Sequence, residues 1–291
     1  MIRDYPCTYL QSGAGQDLSA YTDHLFPEVH LEARSMAALA LEIKERNNAA
    51  WCTLPFCHTV EAEALGAKIR YGDRRNGPRV AEYACENPED LLNLPSIDHA
   101  NSGRMAQVIA ACQLLHDQGK EVLLEITGPF TLLSSMIDPA VVFRMLRKAP
   151  EQADVLFEKL HASLLVYIEA AYEAGVRLFS YADPTGGVNI LGPRLAAAMT
   201  ERFTLPFLQK IDQKLPKDVL IHLCPKTAFA LIDTALADVY VCDLPDGLDY
   251  PQAILSVCGK VRFVGQTCLK NQNFRPGPTL QGLRLKYKEE N

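Results

Sequence analysis

The chain has 291 residues, 48% hydrophobic and 22% charged, with a formal net charge of −6 and a pI near 5.7. This composition excludes a disordered chain, and the acidic balance without any Lys/Arg stripe excludes a nucleic-acid footprint. No apolar stretch reaches the roughly 18 residues needed to span a bilayer, and Met1-Ile2-Arg3-Asp4-Tyr5-Pro6 has no apolar signal region, so no membrane partner is expected.

The length fits one α/β barrel of about 250 residues, and the expectation is a single cytoplasmic domain over residues 1–291. Strand-like apolar runs are predicted at 6–10, 49–54, 122–126, 176–181, 219–223, 239–241 and 261–264. Helices with apolar residues at three- and four-residue spacing are predicted at 31–46, 103–118, 139–147, 153–174 and 194–203. Alternation of this kind implies a mainly parallel sheet, with breakers such as Leu54-Pro55, Gly128-Pro129, Asp183-Pro184 and Cys224-Pro225 at the strand ends. In a (β/α)8 barrel those ends form the rim that carries the active site.

After Cys268 the tail is polar, broken by Pro276-Gly277-Pro278, and shows no apolar run resembling a strand. The fold expected is therefore α/β of the (β/α)8 TIM-barrel type, lacking its final strand. An open sheet edge needs cover from the tail, from the N-terminal segment or from another subunit, so a homo-oligomer is one expectation.

Nine cysteines, an odd number scattered through a chain without an export signal, fit a reducing compartment better than a disulfide framework. Cys112 and Cys258 lie in plain helical or connecting stretches and read as packing residues. His222-Leu223-Cys224 is different, because side chains at i and i+2 of a strand point the same way. Cys242 and Cys268 close the next two apolar runs. Three strand ends then each offer a soft ligand, and imidazole plus thiolates is the set zinc prefers. The alternative is that these too are ordinary buried residues.

Four segments carry a family likeness: the run from Leu54 through Pro55-Phe56-Cys57-His58-Thr59-Val60-Glu61-Ala62-Glu63 to Ala67, then Gly128-Pro129-Phe130-Thr131-Leu132, Ala182-Asp183-Pro184-Thr185 and His222-Leu223-Cys224. In this order they resemble the uroporphyrinogen decarboxylase superfamily, and within it the corrinoid:coenzyme M methyltransferases more than the decarboxylases. The Arg-rich segment and the aspartate with which decarboxylases hold a polycarboxylate substrate are absent.

The resemblance implies a zinc-dependent transfer of a methyl group between a protein-bound corrinoid (cobalamin) and a small thiol such as coenzyme M. It implies His222 and Cys224 as metal ligands. At the next ligand position the chain reads Val241-Cys242-Asp243, so either Cys242 or Asp243 serves, with Cys242 favoured by strand alignment. The family's last cysteine is absent, and either Cys268 stands in for it from a neighbouring strand or Cys268 is a bystander in a site that has lost one ligand. Glu61 and Asp183 are the candidate catalytic carboxylates. His58, Tyr181 and Gly186 are candidates for lining the corrinoid pocket, with Arg79 a further one.

Each has a plainer reading. Glu61 and Glu63 suit a solvated helix start near the positive end of its dipole. Asp183 and the Gly186-Gly187 pair suit a turn, the glycines supplying φ > 0. The rival functions are a methyltransferase of the same superfamily with another donor or acceptor, and a corrinoid- or tetrapyrrole-binding barrel without catalysis.

Overall fold

The computed structural model describes residues 1–6, 18–99, 103–271 and 274–287. The chain divides into two compact units, Leu10–Val176 and Met1–Tyr9 with Arg177–Asn291.

In the unit Leu10–Val176, strand β1 (Cys52–Leu54) pairs in parallel with β4 (Val122–Thr127), Cys52 opposite Val122 and Leu54 opposite Leu124. Both strands are apolar along most of their length, as strands covered on two faces must be. Between them the chain forms an antiparallel pair, β2 (Lys68–Arg70) with β3 (Arg79–Glu82), and the helix Gly103–Asp117. Three successive helices, Pro129–Met136, Pro139–Lys148 and Pro150–Glu173, each start on proline, whose missing N–H costs nothing in a first turn. Leu39, Leu54, Val108, Leu124, Leu133 and Leu156 are fully buried here. Burying one such side chain contributes about 1.5–3 kcal/mol.

In the other unit, β5 (Leu178–Ala182) pairs in parallel with β6 (Leu220–Leu223), and β6 with β8 (Phe263–Val264). The tail then forms a strand, β9 (Thr279–Leu285), antiparallel to β8 on one side and to β7 (Ala237–Asp243) on the other. The order is β5-β6-β8-β9-β7. This corrects the expectation of a strandless tail. Leu280, Leu283 and Leu285 are buried while Gln281 and Arg284 are exposed, and the spacing of three then two residues, with a glycine between, breaks the alternation that would have marked a strand.

The same strand moves β7 out of the slot beside β6. Seven residue pairs from Ala237–Leu285 to Asp243–Thr279 form its ladder, whereas β8 is only two residues long. Gly282 leaves room for the Tyr240 ring opposite it, since a Cβ there would lie 2.5 Å from that ring. The predicted helix at 194–203 is observed as Pro193–Met199, followed by a π-helical turn over Thr200–Thr204 and the helix Leu205–Lys214. Of the predicted strand 6–10, residues 7–10 lie outside the described residues and Pro6 is not in a strand. Among the described residues no helix is long and apolar enough to cross a membrane.

Candidate functional site

At the end of β6, His222 is 2% exposed and its Nε2 lies 2.9 Å from the Thr267 carbonyl and 3.1 Å from the Tyr250 hydroxyl. A carbonyl only accepts, so Nε2 carries the proton and donates it to Thr267. Burial pushes the imidazole down to about 4, outweighing the upward pull of that hydrogen bond, so the ring is neutral at pH 7. Tyr250 also donates to the Thr267 carbonyl at 3.1 Å. The turn after β8 is thus held by two side chains from elsewhere in the unit, and its next residue, Cys268, donates its backbone N–H to the Tyr5 hydroxyl at 3.4 Å.

Cys224 follows β6 and precedes the helix Pro225–Asp233, its N–H donating to the Tyr181 carbonyl at 2.8 Å. In the parallel register Ser180 pairs with His222 and Tyr181 with Leu223, so Tyr181 and His222 point to opposite faces. Tyr181 packs instead against Phe207, ring centroids 6.0 Å apart, and donates to Asp183 Oδ2 at 3.3 Å. Burial, then the charges of Asp183 and Cys224, push its phenol far up, so it remains a donor. Asp183, 3% exposed, lies just past the end of β5. Gly186 closes the turn Pro184–Gly186 by donating its N–H to the Asp183 carbonyl at 3.1 Å. Gly187 has an ordinary φ of −72°, so its need for glycine is spatial. A Cβ there would lie 2.8 Å from Lys226 Cδ.

The four sulfur and imidazole candidates are not gathered. Cys242 lies in β7, with β8 and β9 between it and β6, and Asp243 is exposed at the end of the same strand. Burial, then Asp243, push the Cys242 thiol up. Among the described residues no three His, Cys, Asp or Glu side chains form a group able to hold a metal. His222, Cys224, Cys242 and Cys268 therefore do not fit zinc as one set in this fold, because β9 separates Cys242 from the rest and the Thr267 carbonyl engages the imidazole. All eight described cysteines are thiols. Cys112 is fully buried, which pushes its thiol up to about 12.

The unit Leu10–Val176 holds the other candidates. Glu61 is 1% exposed, and its carboxylate accepts the Thr127 N–H at 2.8 Å and the Thr127 hydroxyl at 3.1 Å. It ties the helix Val60–Ala64 to the end of β4 instead of facing solvent. Glu63 pairs with Arg104 Nε at 2.5 Å and accepts a short hydrogen bond from the Tyr71 hydroxyl. The same guanidinium donates to Thr59 Oγ1 at 2.8 Å and to Cys57 Sγ at 3.4 Å. His58, one-third exposed, has Nε2 3.6 Å from Glu125 Oε2. Arg79 is exposed in β3.

Sequence reasoning passed over Arg104, although a signal was present. The buried positions Arg104, Val108, Ala111 and Leu115 form one helical stripe, so a cation sits where the pattern demands an apolar residue. Lys226 is the second case, a buried cation in the first turn of the helix after Cys224.

The family model for uroporphyrinogen decarboxylase (URO-D) matches residues 5–266. The chain belongs to the uroporphyrinogen decarboxylase family. Within it, the chain falls on the corrinoid:coenzyme M methyltransferase-like branch. It is 28% identical over 212 residues to the methylcobamide:CoM methyltransferase MtbA of Methanosarcina acetivorans, covering 71% of this chain and 61% of that protein. To the methylcobamide:CoM methyltransferase MtaA of Methanosarcina barkeri strain Fusaro it is 24% identical over 262 residues, 89% of this chain and 74% of the relative. The solved structure of a methyltransferase from Methanosarcina mazei superposes with a TM-score of 0.64 at 23% identity, covering 75% of this chain and 64% of that one. The fold is accordingly α/β of the TIM-barrel type, and the chain spans about three-fifths of the length of the first relative named.

Proposed function

We propose that the chain is a corrinoid-dependent methyltransferase that moves a methyl group between methylcobamide, carried on a partner corrinoid protein, and a small thiol such as coenzyme M. The observation that carries this reading is the branch: the methylcobamide:CoM methyltransferases match this chain over most of its length.

The chemical problem is that a thiol with a pKa near 8.5 is mostly protonated at pH 7, while its thiolate is the nucleophile. The thiolate attacks the methyl carbon. A carbon–sulfur bond forms, the carbon–cobalt bond breaks, and its electron pair stays on cobalt as Co(I). The thiol proton needs an acceptor. In this reading Asp183 takes it, held in place by the Tyr181 hydroxyl at 3.3 Å. Glu61 instead accepts from Thr127 and holds the end of β4. The adjoining ends of β5 and β6, where the part-buried Cys224 donates its N–H to the Tyr181 carbonyl at 2.8 Å two residues before Asp183, would receive the sulfur end. Gly186, in the turn after β5, would border the corrinoid.

The test is the spectrum of methylcobalamin mixed with the purified chain and coenzyme M. The expected outcome is loss of the methylcobalamin band, slowed on the order of 10²-fold by Asp183→Asn. No conversion with any thiol defeats the proposal. Elemental analysis of the same sample bears on thiol activation. One zinc per chain, lost in both His222→Ala and Cys224→Ser, would mean that the Thr267 turn opens to release the imidazole for a metal.

A further inference from the structure

Lys226 stands two residues beyond Cys224 with 3% of its side chain exposed. Its ammonium donates to Asp4 Oδ1 at 2.5 Å and to Asn189 Oδ1 at 2.9 Å. A buried ammonium needs a counter-charge, because losing its water without one is strongly unfavourable. Asp4 supplies that charge from the surface, with 46% of its side chain exposed.

The residues flanking Asp4 are anchored without it. Arg3 grips Asp233 through its backbone N–H at 2.7 Å and its Nη2 at 2.7 Å, and its guanidinium lies 4.5 Å from the Phe229 ring centroid. Tyr5 stacks on the same Phe229, centroids 6.2 Å apart, and accepts from Cys268. The Asp4 carboxylate can therefore swing away while the segment stays docked. On the far side, Gly187 lets the lysine stem pass, and a Cβ there would also lie 2.8 Å from Asn189 Oδ1.

We propose that Lys226 is the docking point for the anionic tail of a short thiol substrate, and that Asp4 is a built-in occupant which the tail displaces. The inference rests on the reading of a thiol as methyl acceptor. Cys224 and Lys226 stand two residues apart at the start of the helix Pro225–Asp233, so a short thiol whose sulfur comes to Cys224 brings its sulfonate or carboxylate into the neighbourhood of Lys226. The anion that arrives must repeat what Asp4 does now, accepting a hydrogen bond from a charged, desolvated donor.

The test is calorimetric titration of the full chain, without corrinoid, with 2-mercaptoethanesulfonate and with neutral 2-mercaptoethanol. Wild type should bind the sulfonate more tightly. Asp4→Asn should raise sulfonate affinity about five-fold, the size of a part-exposed ion pair, and leave the neutral thiol unchanged. Lys226→Met should abolish the preference and cancel the Asp4→Asn effect in the double variant, while Lys226→Arg restores it. Should Lys226→Met fail to fold, the Asp4→Asn pair of titrations decides alone, since Asp4 is at the surface. Equal effects of Asp4→Asn on both thiols, no effect on either, or no binding of either thiol overturns the proposal. A chain that shows the Asp4 effect but transfers no methyl group keeps this inference and defeats the reaction. One that methylates both thiols alike, with no Asp4 effect, does the reverse.

Discussion

The two charged clusters of this molecule are built on opposite principles. Around Arg104 the cation, Glu63, Tyr71, Thr59 and Cys57 close on one another, with the Tyr71 ring 5.4 Å from the guanidinium. Around Lys226 the cation is equally buried, but the carboxylate on it comes from a surface side chain. A network whose members are held by one another rigidifies the fold, whereas a buried charge with an exchangeable partner is suited to a ligand. The difference places structural duty on the first cluster and recognition on the second.

The largest expected effect breaks the first cluster. Arg104→Met leaves the part-buried Glu63 without its cation and should lower unfolding free energy by about 3 kcal/mol, read by urea denaturation. Next is Asp183→Asn, which should cut methyl transfer on the order of 10²-fold while the unfolding midpoint hardly moves. A stability loss as large as that of Arg104→Met would mean that Asp183 is structural too.

The buried imidazole of His30, near Arg104, makes stability depend on pH. Burial, then the Arg104 charge, push His30 from 6.5 down to about 4. The unfolded chain then binds the extra proton between pH 6.5 and 4, so the stabilising contribution is present above 6.5 and lost as pH falls toward 4. His222 is pushed down to the same value. Between pH 7 and pH 5 each should cost on the order of 2 kcal/mol, and His30→Phe should remove roughly half of the joint slope. An unchanged slope in that variant would show that His30 does not titrate in this window.

The smallest effect is expected at the surface. Arg3→Ala removes a half-exposed pair with Asp233 and should cost less than about 1 kcal/mol, leaving thiol binding intact. A large loss of binding would show that the segment holding Asp4 depends on that anchor, and would sharpen the contrast with Arg104.

Much of the frame was legible in the residues. The apolar runs that became β1, β4, β5 and β6 announce themselves because strands covered on both faces admit few polar side chains. Their breakers mark the strand ends correctly at Leu54-Pro55 and Cys224-Pro225. The tail strand β9 was not legible, since its seven residues carry a glycine and an arginine and follow a Pro-Gly-Pro break. Its pairing with β7, which moves Cys242 away from β6, is a contact between distant segments that local pattern does not encode.

Periodicity by itself determined the α/β class, because it follows from burial and from the two-residue repeat of a strand, and the four motif segments carried the resemblance to the family. Tertiary structure alone decided what each group does with its hydrogen bonds. The imidazole of His222 meets a carbonyl 45 residues away, and the ammonium of Lys226 meets a carboxylate 222 residues away. Partners so distant in the chain are chosen by packing, and it is the partner that determines whether a buried polar group is spent on the fold or kept for a ligand.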